Sequence, residues 1–188
     1  MVYSRFVIES TKVNRNNLIA HGQAKAAVNG HCLDKGFMSR YVLVICVLVF
    51  VDQLSKWYIM NLIGDVGVIE VFSFLRFSTV WNTGISFGVL HDFMYSNLIF
   101  CSISILITFG LFYLLIIRSF HRLPLAIVIG GSIGNILDRV RHSAVYDFID
   151  FYINHWHWPT FNLADSFIFL GIVIIIGQNN SAKQSLLP

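Results

Sequence analysis

Long apolar stretches separated by short polar ones organise this chain. Apolar segments run at about 41–60, 94–117, 123–138 and 163–177. The first, second and fourth are close to the ~20 residues that a membrane-spanning helix needs. The third, Leu123 to Leu137, is shorter, and its end is polar. It still spans if that end is buried in protein rather than facing lipid. Between the first two segments the period changes. Val, Ile, Phe, Ser and Thr alternate around Ile69-Glu70-Val71 and from Phe74 to Val80, which predicts short half-buried strands. Gly84 and Gly88 mark a turn after them. The pattern predicts an all-α integral membrane protein: four transmembrane helices with a small β-rich platform on the outer face.

Composition agrees with this reading. Of the 188 residues, 56% are hydrophobic and only 12% are charged, about half the charge of a soluble domain. Basic residues set the orientation. Lys35 and Arg40 precede the first helix, Arg118 and Arg122 lie between the second and third, and Lys183 follows the fourth. The loop from Asn61 to Asp92 holds Arg76 alone against Asp65, Glu70 and Asp92. Both termini are therefore expected to be cytoplasmic, with loops 61–93 and 139–161 outside. Arg139 and Arg141 on the second outer loop run against that rule. Trp57, Tyr58, Trp81, Tyr152, Trp156 and Trp158 match an interfacial aromatic belt.

Residues 1–37 are polar and have no apolar core after a short basic start, so they are not a secretory signal peptide. They are expected to be a disordered cytoplasmic extension, with Met38 as an alternative start to Met1. A membrane domain at 38–178 and a short cytoplasmic tail at 179–188 complete the expected organisation.

On this topology the polar residues gather on one membrane face. Asp52 and Lys56 fall in the outer half of the first helix, and Asn82 to Gly88 in the first outer loop. Asn135, Asp138 and Arg139 end the third helix. Asp147 lies in the second outer loop, and Asn162 and Asp165 begin the fourth helix. A carboxylate at the edge of hydrocarbon is costly and marks a functional position.

Asp147 and Asp165 have aromatic and aliphatic neighbours and no adjacent Lys or Arg. Brought close, two such groups cannot easily both ionise. The ionised one can deprotonate water, and the protonated one can polarise a carbonyl and later protonate a leaving amine. The alternative is a pair of helix-cap aspartates. Asp138 is a rival acid, expected to be held ionised by adjacent Arg139. Asp52 and Lys56, spaced i, i+4, read first as a structural ion pair. Gly130 and Gly134 read as a helix-packing step.

Other chemistries have weaker support. Cys32, Cys46 and Cys101 lack metal-ligand spacing, and the last two read as small buried packing residues. His142, His155 and His157 share a loop but form no His-Glu-x-x-His motif, so no metal or other cofactor is assigned. Ser86 and Ser166 have no evident histidine base.

Five ordered motifs resemble one family. They are Asp52-x-x-Ser55-Lys56, Asn82-Thr83-Gly84-Ile85-Ser86-Phe87-Gly88, Gly130-Gly131-x-x-Gly134-Asn135-x-x-Asp138-Arg139, Val145-x-Asp147-Phe148 and Phe161-Asn162-x-Ala164-Asp165. Together they resemble the lipoprotein signal peptidases (signal peptidase II), bacterial membrane aspartic proteases, over Met38 to Gln178. The resemblance implies that Asp147 and Asp165 are the catalytic dyad. It implies that Asn82, Asn135, Arg139 and Asn162 shape the site or bind substrate, with Asp52, Lys56 and Asp138 in support.

The implied substrates are prolipoproteins, cut on the amino side of a diacylglyceryl-modified cysteine. Membrane lipids and globomycin-type cyclic peptides are the other implied partners, with no nucleic acid and a monomeric enzyme. The implied location is the bacterial cytoplasmic (inner) membrane, with the site near the outer face. Ile85-Ser86 stands where the family often has Ala-Ala, which narrows a pocket without removing a catalytic group. Two rival readings are a proton-coupled carrier using Asp52, Lys56 and Asp138, and a scaffold that binds lipoprotein precursors without cutting them.

Overall fold

The structure is a computed structural model and describes residues 35–84, 96–117 and 121–184. The expectations for residues 1–34, for Ile85, Ser86 and Gly88, and for Asp92 and Arg118 fall outside the described residues. The described residues form four long helices, α1 (Lys35–Ile63), α2 (Ser96–Ile117), α3 (Arg122–His142) and α4 (Leu163–Gln184), with one pair of strands between α1 and α2 and another between α3 and α4. The strands are β1 (Val68–Phe72), β2 (Leu75–Asn82), β3 (Val145–Ile153) and β4 (Trp156–His157). All four helices are long and apolar enough to cross a membrane.

The third helix is longer than its apolar run. It continues through Asp138, Arg139 and Arg141 to His142, so both arginines are helical and not in a loop. Nothing in that stretch breaks a helix. It ends where Ser143 adopts a left-handed conformation (φ 58°) and its N–H donates to the Arg139 carbonyl at 3.0 Å. That contact closes one of the carbonyls a helix end leaves open.

Helix α3 is the most enclosed of the four spans. Its buried Leu125, Ala126 and Ile129 meet Ile45 of α1 and Leu115 of α2. Its glycines admit the neighbours. A Cβ on Gly130 would lie 2.9 Å from the Leu48 Cβ of α1, and one on Gly131 would overlap the Ala164 carbonyl of α4. Small residues thus let three backbones approach.

The sheet is antiparallel in the order β1-β2-β3-β4. Residues 145–153, expected as loop, form its longest strand. The run Val-Tyr-Asp-Phe-Ile-Asp-Phe-Tyr-Ile carries the β-branched and aromatic content of a strand. A register shift between Phe77 and Val80 of β2 sets Val80 opposite Asp147. Ile59 and Ile63 of α1 pack with Tyr146 and Phe148 of β3 in a second core, fastening the sheet to the end of α1.

One smaller expectation changes. Cys101 is buried as expected, but Cys46 is exposed on α1, on a helix whose outer faces are apolar. Trp57, Tyr58, Trp81, Trp156 and Trp158 are all exposed.

Candidate active site

The site forms where α1, α3 and α4 meet the sheet. Asp147 is in the first half of β3 and is 1% exposed. Its Oδ2 accepts from Asn82 Nδ2 at 2.9 Å, and its Oδ1 accepts from Asn162 Nδ2 at 2.6 Å. Burial pushes the carboxyl up to about 6. The hydrogen bonds from Asn82 and Asn162 and the charge of Lys56 pull against that rise, while the Asp165 charge adds to it.

Asp165 opens α4. The Asn162 Oδ1 accepts from the Asp165 N–H at 3.0 Å, and Asp165 Oδ2 accepts from the Asn162 N–H at 3.3 Å. This is a reciprocal cap, with an aspartate in the place usually taken by Glu or Gln. The capping alternative therefore describes Asp165 correctly but leaves its Oδ1 free for other work. That oxygen accepts from Asn135 Nδ2 of α3 at 2.7 Å. Asp165 also lines a cavity of about 360 Å³ with Trp158, Phe161, Ser166 and Phe169. A second apolar cavity, of about 470 Å³, shares Trp158 and Phe161 with it. Ser166 turns its hydroxyl to the Asn162 carbonyl at 3.1 Å, away from any base.

Beneath the two carboxylates lies a buried ionic cluster. Lys56 Nζ contacts Asp52 and Asp138 at 2.8 Å each and donates to Asn135 Oδ1 at 3.2 Å. Asp138 is thus paired with Lys56 of α1 and not with its neighbour Arg139. The helix turns adjacent residues about 100° apart, so Asp138 points inward while Arg139 leaves along another face. Asp138 also accepts from the Tyr146 backbone N–H at 3.2 Å, linking α3 to β3. Asp52 accepts from the Ala164 N–H at 2.9 Å. A carboxylate thus faces the positive N-terminal end of α4. Gly134 makes room for Asp52, whose Oδ2 would lie 2.5 Å from any Cβ there.

Arg139 lies within electrostatic reach of Asp165, Asp147 and Asp138, and its NH1 donates to the Asn135 carbonyl at 3.4 Å. Eight of the nine residues singled out in the sequence therefore join side chain to side chain in one network, and Arg139 reaches it through the Asn135 backbone carbonyl. The three histidines do not converge. His157 bonds Asp150 at 3.0 Å, and His142 lies against Trp81.

A family model described as Signal peptidase (SPase) II matches residues 44–179, most of the chain and every residue of this network. The chain belongs to the signal peptidase II family. The lipoprotein signal peptidase of Rickettsia bellii is 43% identical over 150 residues, covering 76% of each chain. That of Anaplasma phagocytophilum is 38% identical over 147 residues, covering 77% of this chain and 94% of its own. A solved bacterial membrane enzyme, determined by the in meso method at 2.3 Å, is 29% identical with a TM-score of 0.68. That match covers 80% of this chain and 93% of the solved one. As a signal peptidase II, the chain is an aspartic-type peptidase and a multi-pass bacterial membrane protein.

One member of the signal peptidase II network carried no sequence signal. Gln53 Nε2 donates to Asp138 Oδ1 at 2.9 Å, and its Oε1 accepts from Arg141 at 2.9 Å. Spacing within α1 shows only its contact with adjacent Asp52 at 3.3 Å, and its other partners come from α3.

Proposed function

We propose that Asp147 and Asp165 act as a catalytic dyad that hydrolyses diacylglyceryl-modified prolipoproteins on the amino side of the lipidated cysteine. The observation carrying this reading is that one residue, Asn162, hydrogen-bonds both carboxylates. Two acids held by one residue, Asp147 through its side-chain amide and Asp165 through its backbone N–H, and partly shielded from water can share a single proton. The ionised member takes a proton from water as the water oxygen bonds to the carbonyl carbon. The other gives its proton to the carbonyl oxygen, forming a gem-diol. The first then protonates the amide nitrogen as the C–N bond breaks, while the second recovers a proton from the diol. One water is consumed, and the dyad returns to its starting state.

The other residues take supporting roles. Asn82, Asn135, Asn162 and Arg139 shape the site and hold substrate; Asp52, Lys56 and Asp138 brace it. The apolar cavity beside Asp165 suits a substrate that arrives from lipid. The dyad would work near the outer membrane face with both termini cytoplasmic, as a monomer open to globomycin-type peptides, within a domain spanning 38–178. A carrier would spread ionisable groups through the membrane depth; here they gather at one end of the helices.

The test uses purified protein in detergent and a diacylglyceryl-modified precursor. Cleavage is expected from the parent, with near-total loss in Asp147→Asn and Asp165→Asn and retained precursor binding. Full activity in either variant would remove that aspartate from the dyad.

A further inference from the structure

Lys56 has three protons and three acceptors: Asp52 Oδ2, Asp138 Oδ2 and Asn135 Oδ1. The third contact has a consequence beyond charge balance. Asn135 Oδ1 also accepts from Asn162 Nδ2 at 3.1 Å. A turned Asn135 amide would press its NH2 against two donors, one of them a cation. The amide is therefore fixed with its carbonyl toward Lys56 and its Nδ2 toward Asp165, at 2.7 Å.

Asp147 differs in two respects. Its donors are the amides of Asn82 and Asn162, whose own oxygens accept from the neutral backbone N–H groups of Gly84 and Asp165. It is also almost fully buried, whereas Asp165 is partly exposed and lines the cavity.

We infer that Lys56 is a positioning residue that acts through Asn135 to make Asp165 the ionised, water-activating member of the dyad, leaving the proton on Asp147. This rests on the dyad reading proposed above and assigns its two roles. Among the described residues, the charged and titratable groups facing the dyad are Lys56 and Asp52 from α1 and Asp138 and Arg139 from α3. Cys101 of α2 is within electrostatic reach of Arg139, and β2 contributes the neutral Asn82. Among the cations of the described residues, only Lys56 touches an amide that itself touches an aspartate of the dyad through a side chain.

The experiment measures kcat and KM against pH for the full chain in detergent with a diacylglyceryl precursor. Lys56→Met should lower kcat about tenfold or more, with KM little changed. It should also move the acid limb of kcat to higher pH by about one unit, the scale on which a nearby opposite charge acts. Lys56→Met alone leaves Asp52 and Asp138 facing each other, so it is paired with Lys56→Met/Asp138→Asn. The double variant keeps the cluster's net charge while still removing the donor to Asn135. It should show the same displaced limb. An unmoved acid limb in whichever variant inserts and binds precursor would overturn the assignment, as would a change confined to KM. Failure of the dyad reading looks different: Asp165→Asn would then keep its activity.

Discussion

Replacing Asp147 by Asn should separate stability from activity, because the folded protein holds this acid in a costly state. Its carboxyl is raised from an ordinary 3.8 to about 6, chiefly by burial. At 1.36 kcal/mol per pH unit, that difference corresponds to about 3 kcal/mol. A raised folded value means that the folded state binds a proton more tightly than the unfolded chain. The associated stability is fully present below about pH 4 and is lost as pH rises through about 6.

The Asp147→Asn variant carries no such titration, but its amide cannot accept from both Asn82 and Asn162. The lost contact costs about 1–3 kcal/mol at every pH. Asn82 cannot easily turn to compensate, since its Oδ1 holds the Gly84 N–H at 2.8 Å. The variant should therefore be less stable than the parent at pH 4 and should equal or exceed it at pH 8. Denaturant titration followed by tryptophan fluorescence, at half-unit pH steps in one detergent, measures the difference. Titrating groups that do not interact with residue 147 cancel between the two proteins. Parallel stability curves from pH 4 to pH 8 would refute the claim that the folded protein raises this carboxyl.

Two further outcomes follow from the packing and the sheet. Gly131→Ala places a methyl on the Ala164 carbonyl and should destabilise by about 1–3 kcal/mol. Gly110→Ala, with open space around it, should be neutral or slightly stabilising in the same melt. Burial raises the Asp150 carboxyl, but hydrogen bonds from His157 and Arg76 outweigh it and bring the group below its ordinary range. The stability this lends β2 and β3 is present at neutral pH and lost as pH falls into the acid range. Hydrogen-exchange protection factors in β3, corrected for the intrinsic rate at each pH, should therefore fall on acidification in the parent and change much less in Arg76→Ala.

Much of this protein is legible in one dimension. Runs of apolar residues predict four spanning helices because lipid forces every backbone polar group to be satisfied within the segment. The strands of 68–80 are visible in their β-branched and aromatic content, although their burial does not alternate: β1 is exposed apart from Ile69, and β2 is covered from Leu75 to Ser78 and exposed from Thr79 to Asn82. The polar residues of the site stand out because each is expensive where it lies. Partnership is another matter. Asp138 sits beside Arg139 in sequence and pairs with Lys56, because a helix points neighbours in different directions and only packing against α1 chooses between them. Gln53 is silent for the same reason. Asp165 could be a cap or a reactive group by spacing, and the fold makes it a cap on one oxygen and an Asn135 partner on the other. The sequence by itself determined which residues are too polar to lie idle in a membrane. Only the tertiary structure decided which of them touch, since hydrogen bonds are settled within a few tenths of an ångström and across segments more than eighty residues apart.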